Sequence, residues 1–337
     1  MLREIPEMES SATLDPGAFT RDVAEQCQPM VLRGACNDWP VIGAARQSWG
    51  SLTDYLARFD SGVPGQAFIG EPEIAGRYFY RDDFEGFNFA REDLHLSDAL
   101  ERIAANAESG ATTLYMGSLP ADDHLPGFAE ENQFPMLGES VRPRVWIGNA
   151  SHVSCHFDTF ENIACVVAGR RRFTLFPPDC IADLYVGPID NTRAGQPVGL
   201  AVGSVPGDPR YPRFERVRDR ALIVELEPGD ALYLPKLWWH EVEATEQLNV
   251  LVNYWWDAFS AGPDAPYLTM LLAMIAVSER PPAERAAWRA FFDHYVFRPQ
   301  GHPLAHLPEG NRGILGPLRP NNYGRIRAFV MQALRGG

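Results

Sequence analysis

Between Arg144 and Trp256 the chain runs as short segments rich in β-branched and aromatic residues, separated by Gly, Pro and Asp turns with no helical period between them. The segments fall at 145–148, 156–167, 173–176, 222–226, 231–234 and 249–255, and the punctuation includes Gly169, Pro177-Pro178 and Pro228-Gly229-Asp230. Many short strands without interleaved helices predict an antiparallel barrel or sandwich.

The flanks differ. Residues 18–26, 49–59 and 96–107 have helical spacing, with Leu96, Leu100 and Ile103 on one stripe, while 29–34 and 114–116 read as strands. After Trp256 the pattern turns helical. Pro281-Pro282 opens a segment placing Trp288, Phe291, Phe292 and Tyr295 at i, i+3, i+4 and i+7, and a final segment puts Ile326, Phe329, Val330 and Leu334 on one face. The expected plan is mainly β: mixed α/β elements over 1–110, the β core over 111–257, and a helical region over 258–337 that can pack on the same chain or against a second copy, its density of large apolar residues favouring a homodimer. Residues 187–220, rich in Gly, Pro and Arg, form a long insertion in the core and are expected to act as a lid.

At 45% hydrophobic and 11% aromatic, the 337 residues can build a buried core, which argues against disorder. A net charge of −14 argues against non-specific binding to nucleic acid or to an anionic membrane. The first twelve residues carry Glu4, Glu7 and Glu9 with no basic or apolar signal-peptide region. The apolar run 267–277 is too short to span a bilayer and reads as a buried helix. Five cysteines, Cys27, Cys36, Cys155, Cys165 and Cys180, show no CxxC spacing, so a reducing cytoplasm without disulfides is expected.

The chemistry concentrates in two blocks. His156-Phe157-Asp158 is read at a strand start, where a side-chain period of two brings His156 and Asp158 to one side. HxD alone is common and carries little. The later block Pro228-Gly229-Asp230-Ala231-Leu232-Tyr233-Leu234-Pro235, followed by Trp238-Trp239-His240, supplies His240 as a third ligand. Two histidines and one carboxylate form a facial triad with open positions, the ligand set of non-haem Fe(II) oxygenases, whereas structural zinc sites are closed and rich in Cys. His152 is read as incidental and Cys155 as packing. After Gly169, alternation places Arg171 with Phe173 and Leu175 on the inner face and Arg170 and Arg172 outside. A guanidinium directed into an apolar barrel needs an anion, either a carboxylate ligand such as 2-oxoglutarate or an internal Asp or Glu. Asn162 and Asn253 can orient a bound molecule or satisfy backbone groups.

At these residues the sequence resembles the JmjC, or cupin-like, 2-oxoglutarate oxygenases, and among them the bacterial relatives of the asparaginyl hydroxylase called factor inhibiting hypoxia-inducible factor. The likeness runs through the 29–34 strand, Trp39-Pro40, Leu114-Tyr115-Met116, the HFD block with Gly169 to Pro178, Leu184-Tyr185, 211–214, the PGDALYLP block to His240, and Asn253-Tyr254-Trp255. It implies a double-stranded β-helix (jelly-roll, cupin) core, Fe(II) on His156, Asp158 and His240, and homodimerisation through the C-terminal helices. It further implies that Arg171 and Tyr115 hold the far carboxylate of 2-oxoglutarate, with Asn162 and Asn253 lining the same pocket. Two positions depart from the pattern: Arg171 stands where the family has lysine, and Val153 where it has threonine.

The resemblance implies a dioxygen-consuming hydroxylase of a protein or peptide side chain. Two alternatives stand beside it. A small-molecule oxygenase would need a closed pocket under 187–220, and a non-catalytic cupin-like binding protein would use Trp238 and Trp239 for recognition.

Overall fold

A computed structural model describes residues 5–9, 15–81, 86–110, 112–134, 136–189, 196–260, 262, 264–316 and 320–335. The chain divides into two units, Met1–Ala258 and Phe259–Gly337.

In the first unit the described strands are β1 (Glu7–Glu9), β2 (Met30–Arg33), β3 (Gly65–Gly70), β4 (Arg77–Tyr78), β5 (Ala90–Leu94), β6 (Thr113–Pro120) and β7 (Pro143–Gly148). They continue as β8 (Ser151–His156), β9 (Glu161–Ala168), β10 (Arg171–Phe176), β11 (Leu222–Leu226), β12 (Ala231–Leu234), β13 (Trp239–Ala244) and β14 (Asn249–Trp256). Two sheets result, in the orders β1-β2-β12-β9-β14-β7-β6-β3-β5 and β11-β10-β13-β8-β4. The strands β7 to β14 alternate between the sheets in pairs, β12-β9-β14-β7 facing β11-β10-β13-β8, which is the double-stranded β-helix expected from the sequence. Only β1–β2 and β4–β8 pair in parallel among the described strands.

Burial follows the pleat. Along β9, Ile163, Cys165 and Val167 pack outward with Phe19, Trp39, Ile42, Leu52 and Leu56. Ala164 and Val166 point inward with Phe173, Leu175, Leu232 and Leu234. The helices α1 (Pro16–Asp22), α2 (Pro40–Gln47), α3 (Trp49–Ala57) and α4 (Leu96–Ser109) supply much of the outer layer. A strand covered on both faces loses its polar alternation, and every residue of β9 is buried.

The structure corrects the 156–167 segment. His156 closes β8 rather than opening a strand, and residues 157–160 turn the chain from one sheet into the other before β9 begins. The sequence reading also missed β13, which carries His240, and the short strands β3 and β5.

The described part of 187–220 is mostly irregular, with short turns at Phe214–Arg216 and Arg218–Arg220. Val198, Ala201, Val202, Phe214 and Val217 are buried in it, and the Gly199 amide donates to the Cys155 carbonyl at 2.8 Å.

The second unit holds α5 (Pro266–Val277), α6 (Pro282–Phe292) and α7 (Pro320–Arg335). Tyr323 and Arg327 of α7 bond the Asp264 carboxylate, the latter at 3.0 Å. The run read as a buried helix is not buried within this chain: Leu268 is 64% and Ile275 75% exposed. A helix apolar on all sides needs neighbours all round, and the described residues of the second unit do not provide them. No helix among the described residues is long and apolar enough to cross a membrane.

Candidate metal centre

The antiparallel pairing of β13 with β8 sets His240 opposite His156. Their rings lie 4.3 Å apart between centroids, and His240 Nε2 is 3.8 Å from Asp158 Oδ2. One ligand atom from each of the three residues lies within 4.8 Å of the others, close enough for the set to share one ion. His240 is buried, and His156 and Asp158 are half-buried.

Both imidazoles are oriented by backbone carbonyls. His156 Nδ1 lies 2.9 Å from the Ser154 carbonyl, and His240 Nδ1 lies 3.0 Å from the Trp238 carbonyl. A carbonyl can only accept, so each Nδ1 carries the proton and each Nε2 keeps its lone pair for a cation. Phe157, between the acid and the histidine, turns away and meets Trp239 edge to face at 4.8 Å.

A bulge helps to build the site. His240 pairs with His156 but Val242 pairs with Val153, so Ser154 and Cys155 together oppose Glu241. Val153 and His156, three apart and on opposite faces of a regular strand, consequently both line the cavity. Cys155 is buried, and burial pushes its thiol well above the usual range, so it is no thiolate donor. His152 stands off the triad, its Nε2 2.7 Å from Glu241 Oε1.

The triad opens into a cavity of about 310 Å³ whose wall includes Tyr115, Trp146, Asn162, Arg171, Asn253 and Trp255. All four cosubstrate residues read from the sequence are therefore gathered around it. Arg171 is 2% exposed and bonds Tyr115, and no carboxylate pairs with it among the described residues. Its Nε is buried without a hydrogen-bond partner among the described residues. Burial pushes the guanidinium below its ordinary range, and the Tyr115 hydroxyl only partly opposes this. Arg170 and Arg172 are outside as expected, paired with Glu227 and Glu246 and with Glu225 and Glu243.

The two asparagines form a relay whose polarity an indole dictates. Trp146 Nε1, a donor only, bonds Asn253 Oδ1 at 2.6 Å. Asn253 Nδ2 must then donate, and does so to Asn162 Oδ1 at 3.0 Å. What remains for the cavity is the Asn162 amide N–H, a group that favours an anion. Sequence reasoning missed Trp146, and with it Gln66, Phe68 and Phe89 from β3 and its surroundings. The alternation of Gln66 and Phe68 against Ala67 and Ile69 was the available signal. Trp238 and Trp239 are buried, with the Trp238 indole bonded to the Cys27 carbonyl at 3.0 Å, so they offer no recognition surface.

A family model described as the cupin-like domain matches residues 16–262. The chain belongs to the cupin-like domain family. Among curated proteins, this cupin-like chain is 30% identical over 190 residues to lysine-specific demethylase JMJ31 of Arabidopsis thaliana, covering 47% of the chain and 34% of that protein. It is 31% identical over 147 residues to HSPB1-associated protein 1 of Bos taurus, covering 42% of the chain and 30% of that protein. It is also 27% identical over 288 residues to the human bifunctional peptidase and (3S)-lysyl hydroxylase JMJD7, covering 75% of the chain and 84% of that protein. The chain spans about a third of the length of the first two relatives.

Proposed function

We propose that this cupin-like protein is an Fe(II)- and 2-oxoglutarate-dependent oxygenase that hydroxylates a protein or peptide side chain. The observation that carries the reading is the sharing of one cavity by a two-histidine, one-carboxylate triad and a buried arginine without a carboxylate partner among the described residues. The donor set fits a divalent iron that keeps positions open, and the uncompensated guanidinium fits the far end of a dicarboxylate. Relatives named as a lysyl hydroxylase and as lysine-specific demethylases support a protein substrate. The likeness to the asparaginyl hydroxylase rests on the sequence blocks and belongs to this proposal.

When bound, iron supplies the oxidation of a C–H bond by dioxygen, coupled to oxidative decarboxylation of the 2-oxo acid. The chain's own residues position. His156, Asp158 and His240 would hold the metal, Arg171 and Tyr115 the distal carboxylate, and the Asn162 N–H a cosubstrate oxygen. Phe68, Trp146 and Phe173 exclude water from the space between. With reconstituted iron and 2-oxoglutarate, succinate is expected to accumulate in air and not under anaerobic conditions; equal release in both would end the oxygenase reading.

We further propose that α5 to α7 pair with a second copy, because Leu268, Ile275, Phe291 and Phe329 are all more than half exposed in the single chain. Sedimentation should give twice the chain mass, and Ile275→Glu should return it to one; a monomeric parent refutes the pairing. The five free cysteines support a reducing, cytoplasmic setting.

A further inference from the structure

Two loops that cross between the sheets border the triad: residues 157–160 after β8 carry Asp158 next to His156 at the strand's end, and residues 235–238 lead into β13, which carries His240. Between them lies Glu161, the first residue of β9, fully buried and supplying no ligand atom. Burying a carboxylate is costly unless donors surround it, and the end of β12 with the loop that follows brings them. Glu161 Oε2 accepts from the Tyr233 hydroxyl at 2.8 Å and from the Lys236 amide at 3.3 Å, and the Lys236 ammonium lies 3.5 Å from Oε1. That ammonium also bonds Asp257 at 2.7 Å, just past the end of β14.

The next residue closes the ring. The Leu237 amide donates to the Asp158 carbonyl at 2.8 Å, with Leu237 held at φ 68°, a conformation in which a leucine is costly and glycine is the ordinary choice. One residue further, the Trp238 carbonyl receives the His240 Nδ1 proton. From Glu161 the connections therefore run through Lys236, Leu237 and Trp238 to the His240 ring, with a side branch to Asp158. We propose that Glu161 is the positioning residue of the metal site: its carboxylate clasps the 235–238 loop against the 157–160 loop and so sets the separation of Asp158 from His240. This rests on the metal reading of the triad.

The test uses the full-length protein and cobalt(II) alone, read by its visible absorption and by a binding titration well below the melting temperature. Glu161→Ala is expected to weaken cobalt binding by about 10–100-fold, the range of lost outer-shell support, and to alter band intensity as the ligand geometry loosens. Glu161→Gln, which keeps an acceptor for Tyr233 and the Lys236 amide, should stay within about threefold of the parent. Should the alanine variant not fold, Tyr233→Phe decides, with weakening of about threefold to tenfold expected from the loss of one hydrogen bond. A folded Glu161→Ala or Tyr233→Phe protein with unchanged cobalt affinity and spectrum overturns the clasp alone. A glutamine variant as weak as the alanine variant overturns the hydrogen-bonded clasp, since the ion pair with Lys236 alone would then be what holds the loop. A parent protein that takes up no cobalt overturns the metal reading and this inference together.

Discussion

Replacing His240 by alanine is expected to leave the protein folded and unable to retain a metal. Three donors converge, and the two imidazoles are locked with Nε2 toward the common point by the Ser154 and Trp238 carbonyls. Removing one leaves a single imidazole and a carboxylate, so affinity should fall by more than the roughly 10–100-fold that outer-shell changes cost. Oxygen-dependent succinate release should drop to background. The side chain lines an existing cavity, so its loss enlarges a space already there instead of opening a new void in the core. A further sign follows from linkage. Metal at about 100 times its dissociation constant stabilises the parent by about 2.7 kcal/mol, and the variant should show no such increment. Metal content after dialysis and thermal melts with and without cobalt give both readings; an alanine variant that keeps one equivalent of metal at parental affinity would sink the triad.

The second large effect has opposite signs for binding and stability. Arg171 is fully buried, bonds Tyr115, and has no acidic partner among the described residues. Such a charge is costly in the empty protein, and on the proposed reading a dicarboxylate would supply its counter-ion. Arg171→Met, apolar and of similar length, is expected to leave the apoprotein unchanged or stabilise it by up to about 4 kcal/mol, as replacements of buried charges by packed apolar groups do. The same change should weaken 2-oxoglutarate binding by about 2–5 kcal/mol, roughly 30- to 4,000-fold. Calorimetry of the zinc-loaded protein with 2-oxoglutarate, beside melts of the apoprotein, measures both. If the methionine variant melts lower and binds as tightly, Arg171 is a structural residue.

How much of this was legible depends on whether the signal is local. The triad was readable because HFD and WWH are short, and the structure brings His156, Asp158 and His240 together although β13 itself was not read as a strand. Arg171 followed from alternation after Gly169, whose φ of 72° turns the chain from β9 in one sheet into β10 in the other. The bulge opposite Glu241 was not legible, since two residues facing one is a property of a pair of strands and not of either sequence. The same holds for the Trp146–Asn253–Asn162 relay, which joins β7, β14 and β9. The helix at Pro266–Val277 misled in a different way: its composition is that of a core, and composition does not say whether its own unit covers it.

The pairing of β10 with β13 turns the sheet into a ruler. Leu175 faces His240 and Arg171 faces Ala244, so the guanidinium proposed to anchor an anion sits four residues along the strand from the proposed metal position. At about 3.3 Å per residue that is roughly 13 Å of backbone, from which the inward reach of the side chains is subtracted. The span is fixed by strand pitch, and strand register can change only in steps of two without turning Arg171 out of the barrel. On the proposed reading, the length of acid the site would take is written in whole increments of the sheet, and only exchanging the arm itself, guanidinium for a shorter or longer group, offers finer adjustment.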